Sequence, residues 1–520
     1  MRLDSQALVM VVKTAYPKSV AVLAVSATQG IIFLDFYPML RVARGTLARH
    51  SSERPFAPED DMLIHATKPL FPWDELEVSP TLGTIKEALR AIPDGQLLAA
   101  LNERRHNGCD TYPVSVLWGV LLLSIILRHT TTEACLEELR RNAPLRLLIG
   151  IESEDAVPNG WNLTRFLAVL GQASYLTLLR DIFDHMVQRL GVAVPNLGTH
   201  TAGDSTGLSG RREPNAERVK AEIEDGLPQA SGGRKEYKDD DGKVSKVVEW
   251  FGYKLHLLVD VEHEVVLAYH ITDTKAGDNE CVGTLVEQAQ ANLPADRIET
   301  LAYDKAADDV KVHETLHEAG IKPLIQNRAC WPKDGEHEKV IGGRVPLHVV
   351  HDEMGTVYCY DTASKVPVRR AMSYAGHEKS RGTLKYRCPA KVEGFRCASA
   401  KKCNAGKSYG LTVRVPQEID LRRFPSIPRA TAQFERLYKG RTSVERVNDR
   451  RKVFWGLDDG NVVGARRFSA HAVAVLIVHL AFATLLAKAQ RQEGSFGTMR
   501  LSPIAKKLQE LTSEDAATSG

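Results

Sequence analysis

Near residue 195 the chain changes period, and this change limits the possible folds more than any other feature of its 520 residues. Between residues 113 and 190 apolar residues recur at helical spacing. TTEACLEELRRNAPLRLLIG has a cap at Thr131 or Thr132, NLTRFLAVLG starts at Asn162 or Thr164, and LTLLRDIFDHMVQRLG ends at Gly191. Beyond residue 195 the spacing becomes that of strands. VSKVVEWFGYKLHLLVD and EVVLAYHIT, parted by a turn around Glu262–Glu264, predict an antiparallel hairpin. A helix through Glu280–Asn292, the strand ETLAYD, a helix from about Asp308 to Ala319 and the strand KPLIQN follow. Strands followed by alternating helix and strand predict a mixed α/β domain.

Residues 207–243, rich in Gly and charge, predict a long exposed loop. Residues 345–420 predict a mostly β insertion carrying four cysteines, and residues 428–495 predict helices. Earlier, LGTIKEALRAI predicts a helix capped at Thr84, with Glu87 three residues on. The expected units are an unassigned region 1–110, a helical domain 111–194, a first α/β part 195–344, the insertion 345–427, a helical part 428–495 and a tail 496–520.

Composition excludes little. The net charge of +3 and pI near 8.3 do not by themselves mark a nucleic-acid binder, because local patches decide that. Eight cysteines in a chain this long are not a disulfide scaffold. The apolar run Ser19–Leu34 is short for a membrane span, and Val116–Leu127 and Ala472–Ala487 read as core helices. The expectation is a cytoplasmic protein without a membrane segment.

Three acidic residues stand out by context. Asp204 is expected at the end of a short strand, Asp304 at the end of ETLAYD, and Glu445 on a helix packed beside them. Such a trio suits phosphodiester chemistry, because hard carboxylate oxygens hold magnesium and magnesium relieves their repulsion. Tyr438, Arg441, Glu445 and Lys452 are spaced for one helix face, where Arg and Lys can meet phosphate oxygens. Arg446, Arg450 and Arg451 add basic charge to the same segment.

The pattern Tyr-x2-Arg-x3-Glu-x6-Lys resembles the signature of bacterial insertion-sequence transposases of the DDE class. Gly203-Asp204-Ser205-Thr206 resembles that family's first aspartate region and Leu301-Ala302-Tyr303-Asp304-Lys305-Ala306 its second, with Ala306 and Ala307 where Gly and Tyr are usual. ACLEELRRNAPLRLLIG with VPNGWNLTRFLAVLG resembles its N-terminal DNA-binding domain, and the likeness runs over residues 115–490.

The resemblance implies a ribonuclease-H-like core in which Asp204, Asp304 and Glu445 are catalytic and hold Mg2+, with Mn2+ able to substitute. It implies DNA cleavage at inverted-repeat ends and 3′-hydroxyl transfer to target DNA by a dimer or higher assembly. Two alternatives stay open: a nuclease that cuts without joining, and an inactive DNA-binding descendant.

Lys254, in a Gly-x-Lys-x-His stretch found in relatives, is a candidate DNA contact, as is Arg328. His256, sharing a strand face with Asp260, is a candidate supporting residue. Asp308 and Asp309 are expected to cap the next helix, and Glu249 and Glu280 to be surface or cap residues. Cys359, Cys388, Cys397 and Cys403 form a loosely spaced candidate for structural zinc.

Overall fold

The computed structural model describes residues 9–13, 20–24, 80–105, 112–239, 243–332, 337–459, 462–489 and 504–510. Most of the run Ser19–Leu34, the arm 51–72, Cys109 and the end of the tail lie outside the described residues. Strands β1 (Val9–Lys13) and β2 (Val20–Ala24) pair antiparallel, with Val9 opposite Ala24. They fall in a unit, Met1–Glu59, separate from Asp60–Gly520.

The second unit begins with helices: α1 (Pro80–Arg90), α2 (Gly95–Arg105), α3 (Val114–Ile126), α4 (Thr132–Arg141), α5 (Ala143–Leu148), α6 (Gly160–Leu170) and α7 (Ala173–Ala193). Helix α3 is apolar nearly all round and is correspondingly buried. Thr131 caps α4 by accepting the Ala134 N–H at 3.2 Å. Helix α6 starts earlier than its apolar pattern suggests, because Asn159 caps it through the Asn162 N–H. Thr84 lies inside α1 rather than at its cap, since the helix begins at Pro80.

The α/β part contains β3 (His200–Ser209), α8 (Ala216–Glu224), β4 (Ser231–Lys238), β5 (Val244–Asp260), β6 (Val266–Thr272), α9 (Asp278–Asn292), β7 (Thr300–Tyr303), α10 (Val310–Glu318) and β8 (Lys322–Ile325). The sheet runs β4-β5-β3-β7-β8, with β6 pairing the second half of β5. β3, β5 and β6 are antiparallel neighbours, whereas β7 lies parallel to both β3 and β8. The expected loop 207–243 is instead the end of β3, a helix capped by Asn215, and an edge strand. Its charge suits those exposed places: β4 pairs only with β5, and Gly233 makes room for the Trp250 ring.

The insertion, joined by residues 338–340 ahead of its expected start at 345, builds two small antiparallel sheets. β9 (Glu338–Val340), β10 (Val349–Asp352), β11 (Val357–Asp361) and β12 (Val368–Ala371) form the first. β13 (Ser373–Glu378), β14 (Thr383–Arg387) and β15 (Thr412–Pro416) form the second, with the short helices α11 (Pro389–Glu393) and α12 (Ala400–Cys403) between β14 and β15. The insertion has its own apolar cluster, including Val349, Val357, Leu384 and Phe424.

Helices α13 (Ala432–Tyr438), α14 (Thr442–Trp455) and α15 (Ala465–Ala489) return to the main core. α15 is long and apolar enough to cross a membrane, but most of it is buried in the protein, along α7, α6 and α3. Residues 504–510 are helical, and Ile504 joins the same core.

Candidate active site

Parallel pairing sets the first two carboxylates side by side. β3 and β7 pair with Thr201 opposite Leu301 and Ala202 opposite Ala302. Two residues further along each strand come Asp204 and Asp304, on adjacent strands and on the face shared with the two alanines. Asp204 is therefore not at a strand end, as its sequence suggested. It is the fifth residue of β3, which continues to Ser209 because β5 pairs with it throughout. What ends beside it is β7. The carboxyl end of β7 is thus the point where the sheet changes from antiparallel to parallel. Glycine is needed at position 203, because a Cβ there would come within 2.2 Å of the Tyr303 ring.

The third carboxylate comes from the far side of the insertion. Tyr438, Arg441 and Glu445 do not lie on one continuous α-helix. α13 ends at Tyr438, Lys439–Arg441 form a 3-10 turn, and α14 starts at Thr442. The turn packs on β3 and β7, with Gly440 so close to Val261 that a Cβ would approach it to 2.7 Å. The helical path is tightened there rather than broken. Arg441 and Glu445 still form an i,i+4 ion pair at 2.7 Å. Tyr438 stacks on Phe434 with ring centres 5.4 Å apart.

Electrostatic coupling links these groups to one another. Burial pushes the Asp204 carboxyl up to about 6; the Ser205 backbone N–H and Lys235 oppose this, while Asp278 and Asp304 add to it. Burial raises the Tyr438 hydroxyl, Arg441 draws it down, and Asp304 and Glu445 raise it. Arg441 feels both Glu445 and Asp204, which outweigh its burial and strengthen its hold on its proton. Asp304 accepts the Ala306 N–H at 2.7 Å, and Glu445 is the most exposed of the three carboxylates. Among the described residues, no three Asp, Glu, His or Cys side chains already stand together as a metal shell.

The other basic candidates are engaged elsewhere. Lys452 donates to the Gly207 carbonyl at 2.8 Å and lies 3.5 Å from Asp458, which fastens α14 to β3. Lys254 pairs with Gly207 of β3, an odd number of residues beyond Asp204, so it points to the opposite face of the sheet. There it donates to Asp278 at 2.7 Å and to the Ala276 carbonyl at 2.9 Å. Arg328 braces the Asp304 loop by donating to the carbonyls of Lys305 and Ala306. Arg446 and Arg450 pair with Glu264, and Arg451 is buried, so these three do not form the open basic face expected of them.

Sequence reasoning missed Asp278. It opens α9, accepts the Ser205 hydroxyl at 2.7 Å and lies 3.6 Å from His256. Burial would raise its carboxyl, but bonds from Lys254 and Ser205 outweigh that and hold it below the ordinary range. His256 is fully buried and held low, at about 4, by burial and then by Lys254. Asp260 shares its strand face but serves the chain turn, accepting the Gly198 N–H at 2.7 Å. Of the two expected helix caps, only Asp309 caps α10. Asp308 is fully buried and binds Arg422 through two oxygens, tying the root of the insertion to the Asp304 loop. Glu280 accepts the Gly277 N–H at the start of α9, and Glu249 pairs with Arg234 on the surface.

The chain is a mixed α/β domain preceded by helices, with Asp204 and Asp304 on its adjacent strands β3 and β7. Residues 195–481 match the Transposase DDE domain family, and residues 80–168 match the Transposase domain (DUF772) family. The chain belongs to the Transposase DDE domain family. Over 44 residues it is 34% identical to the probable signal recognition particle 19 kDa protein of Caenorhabditis elegans, covering 8% of this chain and 31% of that protein. A chain in the cryo-EM structure of the piggyBac transposase synaptic complex with hairpin DNA aligns over 84% of this chain and 80% of its own, at 10% identity and a TM-score of 0.34.

Proposed function

We propose that this protein is an insertion-sequence transposase of the bacterial type, which cuts DNA at the ends of its element and joins the freed 3′-hydroxyls to target DNA. One observation carries the reading: the register of β3 and β7 sets Asp204 beside Asp304, and the Tyr438–Glu445 segment packs over the same strand ends. The strand order β6-β5-β3-β7-β8, with its antiparallel first half and parallel second half, supports a ribonuclease-H-like core.

The donor set fits magnesium. Asp204, Asp304 and Glu445 offer hard oxygen ligands, and burial and neighbouring acids resist ionisation of Asp204, a cost that a divalent cation offsets. These three residues would hold the ion, with Mn2+ able to replace Mg2+. When bound, the ion supplies activation of the attacking oxygen and charge stabilisation at the phosphate.

The chain's own groups do the rest. Arg441 neutralises Glu445 at 2.7 Å and presents a planar guanidinium suited to two phosphate oxygens. Tyr438, half-buried and stacked on Phe434, offers a hydroxyl beside Asp304. Lys452 fixes α14 on β3, which keeps Glu445 over the strand ends. Asp278, Lys254 and His256 form a braced layer beneath the same strand. Two copies acting on paired DNA ends complete the proposal.

The test is magnesium-dependent cleavage and strand transfer on DNA bearing the sequences that flank the gene. Wild type should cut and join, and Glu445→Gln should lose both by roughly 10³-fold, the several kcal/mol that a catalytic metal supplies. Cleavage without joining would favour a nuclease, and undiminished activity in the variant would remove Glu445 from the centre.

A further inference from the structure

Four cysteines that are far apart in sequence meet in the insertion. Cys359 lies within β11, Cys388 directly follows β14, Cys397 precedes a turn, and Cys403 ends α12. All four line one cavity of about 20 Å3, together with His348. That is room for about one water-sized body. Cys403 Sγ lies 3.6 Å from His348 Nε2.

We propose that Cys359, Cys388, Cys397 and Cys403 bind a structural zinc ion that staples the two sheets of the insertion together. Four thiolates are a complete tetrahedral set for zinc, and soft sulfur selects it over magnesium.

The backbone around the cavity is already clamped. Asp361 lies two residues after Cys359, on the same face of β11. Its carboxylate accepts the Ala398 N–H at 3.0 Å, the Ser399 N–H at 3.1 Å and the Ser399 hydroxyl at 2.7 Å. This holds the 397–403 segment against the first sheet. The Cys388 N–H donates to the Leu411 carbonyl at 2.8 Å, which ties the entry to α11 to the chain leading into β15. The Cys397 carbonyl accepts the Ala400 N–H at 3.1 Å, a tight turn that directs its side chain and that of Cys403 from one short segment. His348 then serves as an outer partner, its Nε2 within reach of the Cys403 sulfur.

Two contrasts favour zinc over unrelated free thiols. Outside the insertion, Cys135 and Cys281 are singly placed and buried, as isolated cysteines usually are, and Cys330 stands alone at the surface beside Arg422. Cys359, Cys397 and Cys403 are only partly buried yet face one another across a cavity, and none of the four is in a disulfide. The insertion's apolar cluster is small, built around ten buried residues, which is the situation in which small units rely on a metal. The sulfurs ring the cavity more widely than a coordination shell, so binding requires these side chains to rotate inward on the clamped backbone.

The full-length protein, purified without chelator, is analysed for zinc and then exchanged with Co2+. The expected result is about one zinc per chain and an intense thiolate-to-cobalt charge-transfer band, which carboxylate ligands do not give. Cys388→Ser should lose the metal, while Cys281→Ser, outside the cluster, should keep it. If Cys388→Ser does not fold, thiol counting on the wild type decides: four thiols should resist modification until a chelator is added. Folded protein that carries no zinc and gives no thiolate–cobalt band would overturn the proposal, as would full zinc retention in Cys388→Ser. The readout is metal content, so its outcome is independent of whether the protein moves DNA.

Discussion

Replacing Asp204 by Asn removes a charge from a place where the fold resists it. In the folded chain the carboxyl is pushed from 3.8 up to about 6, first by burial and then by Asp278 and Asp304. At 1.36 kcal/mol per tenfold change in proton affinity, ionising it costs about 3 kcal/mol of folding free energy, trimmed somewhat by its partial exposure. The folded value lies above the unfolded one, so the protonated carboxyl favours folding and that benefit fades as pH rises. Below about pH 4 both states are protonated, and Asp204→Asn should match wild type in stability. Between about pH 4 and 6 the unfolded state ionises first and wild type falls behind; above that range the variant should be more stable by about 2–3 kcal/mol. Saturating Mg2+ should narrow this gap, because an ion held by the carboxylates stabilises wild type selectively. Denaturant unfolding at several pH values, with and without Mg2+, gives the measurement. A gap that is the same at every pH, or a variant less stable than wild type at neutral pH, would mean that burial does not oppose the Asp204 charge.

Two further substitutions probe the scaffold. Gly203→Ala would drive a methyl group into the Tyr303 ring, and unfolding titrations should show a loss of about 1–3 kcal/mol, as for overpacked cores. Arg422→Ala would strand the buried Asp308 charge; a cost of about 3–5 kcal/mol is expected, together with faster proteolysis of the insertion and looser hydrogen exchange in the Asp304 loop.

The legible parts of the sequence were those set by local pattern. The hairpin β5–β6 follows from strand alternation, and α9, β7, α10 and β8 from the change of period that repeats after it. The spacing of Arg441 and Glu445 was legible as helical register, and they do pair across one turn even though a 3-10 turn replaces the single helix. What was hidden depends on pairing between distant strands. Nothing near Asp204 in sequence says that β3 continues past it, because that is fixed by β5 about 50 residues later. Lys254 reads as a basic residue in a suggestive motif, yet its register against Gly207 turns it away from the carboxylates. Asp278 reads as an ordinary start of a helix until Ser205 and Lys254 are brought to it. The segment 207–243 was misread because edge strands and exposed helices carry the same polar residues as loops.

Asp204, Asp304 and Glu445 are proposed to share one divalent-cation site. Iron(II) bound in place of magnesium, with peroxide and ascorbate, cuts the backbone beside the metal, and the fragments can be located by mass spectrometry. Cuts are expected close to residues 204, 304 and 445, suppressed together by excess Mg2+ and lost in Asp204→Asn. Cuts absent from these three segments, or cuts at one of them that persist unchanged in Asp204→Asn, would contradict a shared site.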